Sequence, residues 1–176
     1  TQAKKAEEIG IETSPAWLDF SKVMKGVHEK IKTIEPHDSV ERYQGLGVDC
    51  FLEEAKIIDP YHVKIGEKVY SSQNIVVATG ANPYVPRLSG LEQIAYTTSE
   101  TLWDLTQLPK KLVILGGGPI GCELAQAFNA LGSEVFLVQR NQQLLPKEDP
   151  EIGQFIAHKF EALGIKILLQ TEAKSF

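Results

Sequence analysis

The chain has 176 residues and a formal net charge of −5, and it is 43% hydrophobic and 23% charged. This composition is typical of globular proteins and excludes collagen, coiled coils and long disordered segments. No apolar run approaches the roughly 18 residues that a membrane-spanning helix requires. The acidic balance argues against nucleic acid, because no surplus of lysine and arginine is available to neutralise phosphates. We therefore expect neither a membrane nor a nucleic-acid partner.

The cysteines and histidines argue against a disulfide-rich secreted scaffold and against a metal site. Cys50 and Cys122 are far apart in sequence and form no Cys-x-x-Cys motif, and the four histidines show no metal-ligand spacing. Two unlinked thiols suit a reducing compartment. The first ten residues also lack the apolar core of a secretory signal peptide. The sequence thus predicts a cytoplasmic protein without a metal site.

The first 48 residues have helical patterns. Residues 6–9 are typical of a helix end closed by Gly10, and a second helix is predicted between Pro15 and Pro36. Its apolar residues recur at helical spacing and predict one buried stripe. They are Phe20, Val23, Met24, Val27, Ile31 and Ile34. One or two further turns are predicted over residues 39–44.

Residues 48–80 consist of short runs rich in β-branched residues, separated by turn signals. This pattern predicts a small antiparallel β-meander. The last run, 75–78, is apolar on both faces, which is typical of a buried central strand. Residues 81–99 have the composition of a loop.

The remaining residues alternate between strand and helix patterns. Strands are predicted at 112–115, 134–139 and 165–169, with helices between them, the second of which opens at Asp149-Pro150. The buried side of that second helix is predicted to be Ile152, Phe155, Ile156, Phe160 and Leu163. This βαβαβ order predicts an α/β fold, a Rossmann-like nucleotide-binding unit with a parallel sheet.

A glycine motif lies between the first of these strands and its helix. Gly116, Gly118 and Gly121 have the spacing GxGxxG, in which the first glycine permits a tight turn, the second admits a pyrophosphate and the third lets helix and strand pack closely. The helix N-terminus would then hold the phosphates. The alternative is a turn that serves packing alone. A P-loop is excluded, because Cys122-Glu123 stand where lysine and serine or threonine are required.

The end of the second strand bears on the choice of nucleotide. NAD-binding proteins place an acidic residue there to accept from the ribose 2′-hydroxyl, whereas this chain has Gln139 followed by Arg140. An arginine pairs well with a 2′-phosphate, which favours NADP(H) over NAD(H). The alternative is that Arg140 is a solvated loop cation.

Two further residues of the helix start have competing interpretations. Cys122 lies where a helix N-terminus stabilises a thiolate, but a small packing residue is the favoured interpretation. Glu123 either projects toward the far end of the dinucleotide or complements the helix dipole. The residues alone leave the role of Glu123 open.

Three stretches of the sequence, 74–91, 97–135 and 138–153, together resemble the flavin-dependent pyridine nucleotide–disulfide oxidoreductases. This family includes dihydrolipoamide dehydrogenase, glutathione reductase and mercuric reductase. The last stretch most resembles the mercuric reductases, in which an arginine follows the second strand and an acidic residue with proline opens the next helix. The resemblance implies FAD and NADP or NAD as cofactors.

The resemblance also implies which residues contact each cofactor. For FAD these are Thr79, Gly80 and Ala81, with the backbone near Ala55 meeting the adenine. For the pyrophosphate of NAD(P)H they are Gly116, Gly117, Gly118, Pro119, Ile120 and Gly121, with Glu123 near the nicotinamide. Gln139 and Arg140 would face the ribose, and the backbone of Ala173 would face the adenine.

The resemblance implies a domain division and a reaction. Residues 1–107 would form part of an FAD-binding domain and 108–176 part of an NAD(P)-binding domain. The implied chemistry is hydride transfer from NAD(P)H to FAD and on to a redox disulfide or a mercuric-type acceptor. The substrate would be a small molecule or a disulfide, and the full-length protein a homodimer.

The chain departs from the family pattern in several respects. It has no N-terminal GxGxxG motif and no CxxxxC redox pair, and it starts at Thr1 with Met24 as its only methionine. We expect an internal fragment that is inactive alone and carries no catalytic residue of its own. The alternatives are a non-catalytic NAD(P)-binding module and an α/β scaffold with a glycine turn that only packs.

Overall fold

The computed structural model describes residues 18–176. They fall into two compact units. One consists of the described residues up to Gly26 together with Tyr84–Phe176, and the other is Val27–Pro83. The domain boundary predicted at residue 107 stays a prediction. The helix predicted at residues 6–9 lies outside the described residues.

The first described helix, α1, spans Phe20–Ile34. A short 3₁₀ turn, Glu35–Asp38, follows because Pro36 cannot continue the α-helical hydrogen bonding. Helix α2, Val40–Gly45, is then capped by Ser39, whose hydroxyl accepts a hydrogen bond from the backbone N–H of Arg42. Both helical predictions for this region are therefore confirmed.

The predicted meander is present but shorter than expected. Strands β1 (Ala55–Asp59), β2 (His62–Ile65) and β3 (Lys68–Ser71) form an antiparallel sheet in that order. The β1–β2 pairing is irregular between Ile57 and Asp59. Residues 48–54, which were expected to join the first strand, lie outside it.

The buried central strand predicted at residues 75–78 is wrong for this structure. These residues form no strand, and the side chains of Val76 and Val77 are 87% and 64% exposed. A strand is stabilised by hydrogen bonds to a neighbouring strand. Among the described residues no strand pairs with this segment, so its apolar pattern alone does not produce one.

The predicted βαβαβ unit is confirmed. Strands β4 (Lys111–Leu115), β5 (Glu134–Val138) and β6 (Lys166–Leu168) form a parallel sheet with β5 in the middle. Helix α3 (Pro119–Leu131) connects β4 to β5, and helix α4 (Pro150–Ala162) connects β5 to β6. The chain therefore has the α/β fold expected from its alternating patterns.

The core of this unit lies between the sheet and its helices. Val135 and Leu137 of β5 are fully buried, as is Ala125 of α3. Right-handed crossovers place both helices on one face of the sheet. On β4, by contrast, Val113 and Leu115 are 53% and 41% exposed, and among the described residues β4 pairs with β5 alone.

The buried stripes predicted for two helices are only partly correct. In α1, Phe20 and Met24 are buried, and the ring of Phe20 lies 6.3 Å from that of Phe128, but Ile31 and Ile34 are exposed. In α4, Phe160 is buried, whereas three residues of its predicted stripe are exposed. These three are Ile152, Phe155 and Leu163. The predicted helical period is correct, but periodicity does not indicate how much of an apolar stripe is buried by neighbouring elements.

No helix within residues 18–176 is both long and apolar enough to cross a bilayer. Over the same residues, no group of three or more potential metal-binding side chains is present.

We predict that truncating the central strand destabilises the protein. Leu137→Ala should lower the free energy of unfolding by about 2–5 kcal/mol, because it leaves a cavity in a fully packed core. Chemical denaturation measures this change. Gln126→Ala, at an exposed position of α3, is the control and should change stability by less than about 0.5 kcal/mol. Equal effects of the two substitutions would contradict this assignment of the core.

Candidate dinucleotide-binding site

The glycine motif follows the carboxyl end of β4 directly. Gly116 has a φ of +114°, a left-handed conformation that L side chains rarely adopt, and its N–H donates to the carbonyl of Val138 at 2.8 Å. The first glycine thus makes the turn from β4 toward α3, as the motif predicts.

The third glycine brings the helix against this turn. A methyl group at Gly121 would overlap the carbonyl oxygen of Gly116 and lie 3.5 Å from the side chain of Ile114. Only a residue without Cβ lets α3 approach the strand this closely. The packing role of the third glycine is therefore visible in the structure.

The second glycine is different, because it faces open space. Nothing lies within 4 Å of the position that a Cβ of Gly118 would occupy. Gly118 is the N-cap of α3 and is followed by Pro119 and the exposed Ile120. No side chain caps this helix end, so the positive end of its dipole is available to an anion. These residues fit a pyrophosphate.

Gly117 has a role that the motif did not predict. It is buried, and a Cβ there would lie 2.6 Å from Cδ2 of Leu144 and 3.2 Å from Cβ of Gln139. The GxGxxG motif allows any residue between its first two glycines. Only knowledge of the loop after β5 would have shown that position 117 requires glycine. The segment that follows β5 therefore packs on the glycine loop.

Gln139 is a buried polar residue at the end of β5. It is 6% exposed, and its backbone N–H and carbonyl bond to Leu168 and Thr171. Its side-chain amide has no hydrogen-bond partner among residues 18–176. A Cβ at Gly117 would lie 3.3 Å from its Nε2. No buried side-chain nitrogen or oxygen of the described residues lacks a partner, so this amide reaches solvent next to the glycine loop, where it is suited to bind a polar ligand.

Arg140 lies one residue further along, is exposed, and lines a cavity of about 560 Å³. Most of the other lining residues are polar, and they include the amides of Asn141, Gln143 and Gln170. The N–H of Gln170 donates to the carbonyl of Asn141 at 3.1 Å, which holds the two walls together. The cavity therefore presents one cation, several amides and the carboxylate of Glu148 to a ligand.

Two further residues of this unit, Glu123 and Ala173, were also predicted to contact the nucleotide. Glu123 is exposed and lies beyond the first turn of α3, where the helix dipole has weakened. Ala173 is partly buried, two residues after Thr171, whose N–H bonds to the carbonyl of Gln139. Their contacts with a nucleotide stay predictions.

Cys122 has the packing role expected of it. It is buried, and its thiol donates to the carbonyl of Gly117 at 3.5 Å. Burial, with a smaller contribution from the Glu123 carboxylate, raises the pKa of the Cys122 thiol to about 11. The thiol is therefore neutral near pH 7 and is not a nucleophile.

The residues expected at the flavin lie in the other unit. Ala55 is the first residue of β1, where it pairs with Ile65. Thr79, Gly80 and Ala81 lie in an exposed segment without regular structure, in which Gly80 has a φ of +66°. This segment offers an open backbone surface. We therefore assign no reaction step to it.

Comparison with known proteins identifies the family. The model of the pyridine nucleotide–disulphide oxidoreductases matches residues 7–176. The chain therefore belongs to this family.

The curated relatives include mercuric reductases and a dihydrolipoyl dehydrogenase. The mercuric reductase of Lysinibacillus sphaericus is 34% identical over 91% of this chain and 29% of its own length. The dihydrolipoyl dehydrogenase of Acholeplasma laidlawii is 30% identical over 97% of this chain and 52% of its own length. The chain thus spans between about a third and a half of these two relatives.

Solved structures show the same fold. The Cu(II) complex of the HOCl-induced flavoprotein disulfide reductase RclA from Escherichia coli matches with a TM-score of 0.72 and 26% identity. The match covers 90% of this chain and 37% of that protein.

We predict that the second and third glycines respond differently to a methyl group. Gly121→Ala should destabilise the protein, because the methyl group overlaps the Gly116 carbonyl. Gly118→Ala has room for its methyl group and should leave the fold intact, while weakening nucleotide binding because the methyl group meets the pyrophosphate. Thermal unfolding and calorimetric titration with NADPH separate the two effects. Unchanged affinity in a folded Gly118→Ala variant would argue against the site.

We also predict that Cys122 resists alkylation. At pH 8 its thiol is protonated and buried, whereas Cys50 is partly exposed. Iodoacetamide should therefore modify Cys50 first and reach Cys122 only after unfolding. The pKa of the Cys122 thiol is also higher in the folded than in the unfolded state. The free energy of unfolding should therefore fall as the pH rises from about 9 to about 11. Peptide mass mapping follows the labelling, and equal rates at both cysteines would contradict the prediction.

Proposed function

We propose that this chain forms the pyridine-nucleotide-binding part, and a portion of the flavin-binding part, of a flavoprotein oxidoreductase. The observation that carries this proposal is the glycine loop, in which Gly118 leaves an open, positively polarised helix end after a parallel strand. Family membership favours an enzyme over a module that only senses nucleotides.

The proposed reaction takes a hydride from NAD(P)H. FAD, held near Thr79, Gly80 and Ala81, would supply the two-electron chemistry that links this hydride to a disulfide or to a mercuric-type acceptor. This chain's own contribution is to bind and orient the nucleotide. The backbone around Gly118 binds the pyrophosphate, Gln139 and Arg140 face the adenosine ribose, and Glu123 lies toward the nicotinamide.

The acceptor is proposed from the relatives, since several are mercuric reductases. The two cysteines of this chain do not form a redox pair, because Cys122 is buried and neutral and Cys50 is far away in sequence. The protein would therefore require its redox-active thiols elsewhere. The full-length protein is proposed to be a cytoplasmic homodimer.

Anaerobic reduction of the full-length protein tests this function. The purified protein should be yellow, and NADPH should bleach its flavin absorbance. A colourless protein, or a flavin that NADPH and NADH both leave oxidised, would contradict the proposal.

The nucleotide is proposed to be NADPH. No carboxylate stands at the end of β5 itself, and Arg140 opens onto the polar cavity beside it, whose lining also includes Glu148. A guanidinium binds a phosphate through two parallel hydrogen bonds. The amides of that cavity add neutral donors.

We predict that Arg140→Glu shifts the preference toward NADH. Loss of a charge-assisted pair and gain of a repulsive carboxylate should weaken NADPH binding about tenfold or more, with little effect on NADH. Steady-state kinetics with both nucleotides measure the ratio. Arg87→Glu, the same change at an exposed loop position outside this cavity, is the control. An unchanged ratio in Arg140→Glu would exclude Arg140 from nucleotide selection.

A further inference from the structure

The carbonyl oxygen of Gly117 accepts hydrogen bonds from two donors outside the glycine loop. The backbone N–H of Leu145 lies 2.7 Å away, and the thiol of Cys122 lies 3.5 Å away. Leu145 belongs to the segment between β5 and α4, so this bond connects the loop after β4 with the loop after β5. Neither the glycine spacing nor a local sequence pattern requires it.

Leu145 adopts an unusual backbone conformation to make this bond. Its φ is +50°, one of two positive values among the non-glycine residues that the structure describes. Residues with a Cβ rarely adopt a positive φ, and this conformation persists only where surrounding contacts stabilise it. The side chain of the preceding Leu144 supplies such a hold, because it is fully buried.

The segment is also held from its other side. A methyl group at Gly153, in the first turn of α4, would lie 2.7 Å from the carbonyl oxygen of Leu144. The side chain of Leu144 meanwhile packs on Gly117. The two glycines therefore admit the 144–145 backbone between the glycine loop and α4, and its position is fixed by contacts on both sides.

Fixing the Gly117 carbonyl also fixes the next N–H. The structure has no cis peptide bonds among its described residues, and in a trans peptide the C=O and N–H point in opposite directions. The N–H of Gly118 is therefore directed away from Leu145. It has no acceptor within residues 18–176, and the space around Gly118 is open.

We propose that Leu145 is a positioning residue for the pyrophosphate. Its N–H holds the Gly117–Gly118 peptide so that the Gly118 N–H is already aimed at the phosphate before the nucleotide arrives. This inference rests on the proposed function of the glycine loop. Gln139 is only 6% exposed and lies against the same peptide, and its amide, which has no protein partner, reaches solvent there and independently indicates a polar ligand at this place.

The test compares two substitutions at position 145 in the full-length protein. Leu145→Ile introduces a β-branched residue that strongly disfavours positive φ, so the turn must rearrange and the hydrogen bond is lost. Leu145→Gly accepts positive φ without strain and keeps the N–H. We expect Leu145→Ile to weaken NADPH and NADH binding by about tenfold or more, and Leu145→Gly to restore most of the affinity.

The choice of ligands separates positioning from general damage. Adenosine 2′-monophosphate lacks the pyrophosphate, so its affinity should fall much less in Leu145→Ile than the affinities of NADPH and NADH. An equal loss for all three ligands would show that position 145 is merely structural and would overturn the proposal. Unchanged NADPH affinity in Leu145→Ile would overturn it as well.

A second variant covers the case in which Leu145→Ile does not fold. Replacing Leu145 by its α-hydroxy acid analogue removes the N–H alone and keeps the side chain. The same selective loss for NADPH and NADH is expected, and unchanged binding would overturn the proposal. Failure of the proposed function is distinguishable, because the wild-type protein itself would then bind neither nucleotide.

Discussion

The nucleotide-binding unit depends on one close contact between backbones, where α3 starts against the turn that ends β4. Gly121 lies so close to the carbonyl of Gly116 that no side chain fits between them. This contact sets the angle at which the helix leaves the sheet and therefore where its N–H groups converge. Beside this contact, Gly116 makes its left-handed turn and the Cβ position of Gly118 is open. This steric constraint sets the approach of helix and strand, and the contacts of Leu144 and Leu145 with Gly117 hold the loop between them.

Much of this unit could be predicted because its signals are local. Four-residue apolar runs, a proline at the start of a helix and glycines at fixed spacing each specify a short stretch of backbone, and β4, α3 and α4 were found close to their expected bounds. The roles of Gly116 and Gly121 are equally local, since each follows from backbone geometry within six residues. The family resemblance added the cofactors, which no local rule supplies.

What could not be predicted depends on distant partners. Residues 75–78 have the composition of a buried strand, yet no strand bonds to them within the described residues, and Val76 is 87% exposed. Periodicity likewise identified α1 but overestimated how much of its stripe is covered, since Ile34 is 58% exposed. The need for glycine at position 117 comes from Leu144, a residue of another loop. Such requirements appear only once the chain has folded.

The open side of β4 has a practical consequence. Val113 and Leu115 are largely exposed, and one edge of this strand has no neighbour among residues 18–176. Unpaired edges with apolar side chains act as templates for strands of other molecules. A recombinant piece cut to these bounds would therefore self-associate through β4, and a few charged residues placed along that edge would keep it monomeric for spectroscopy.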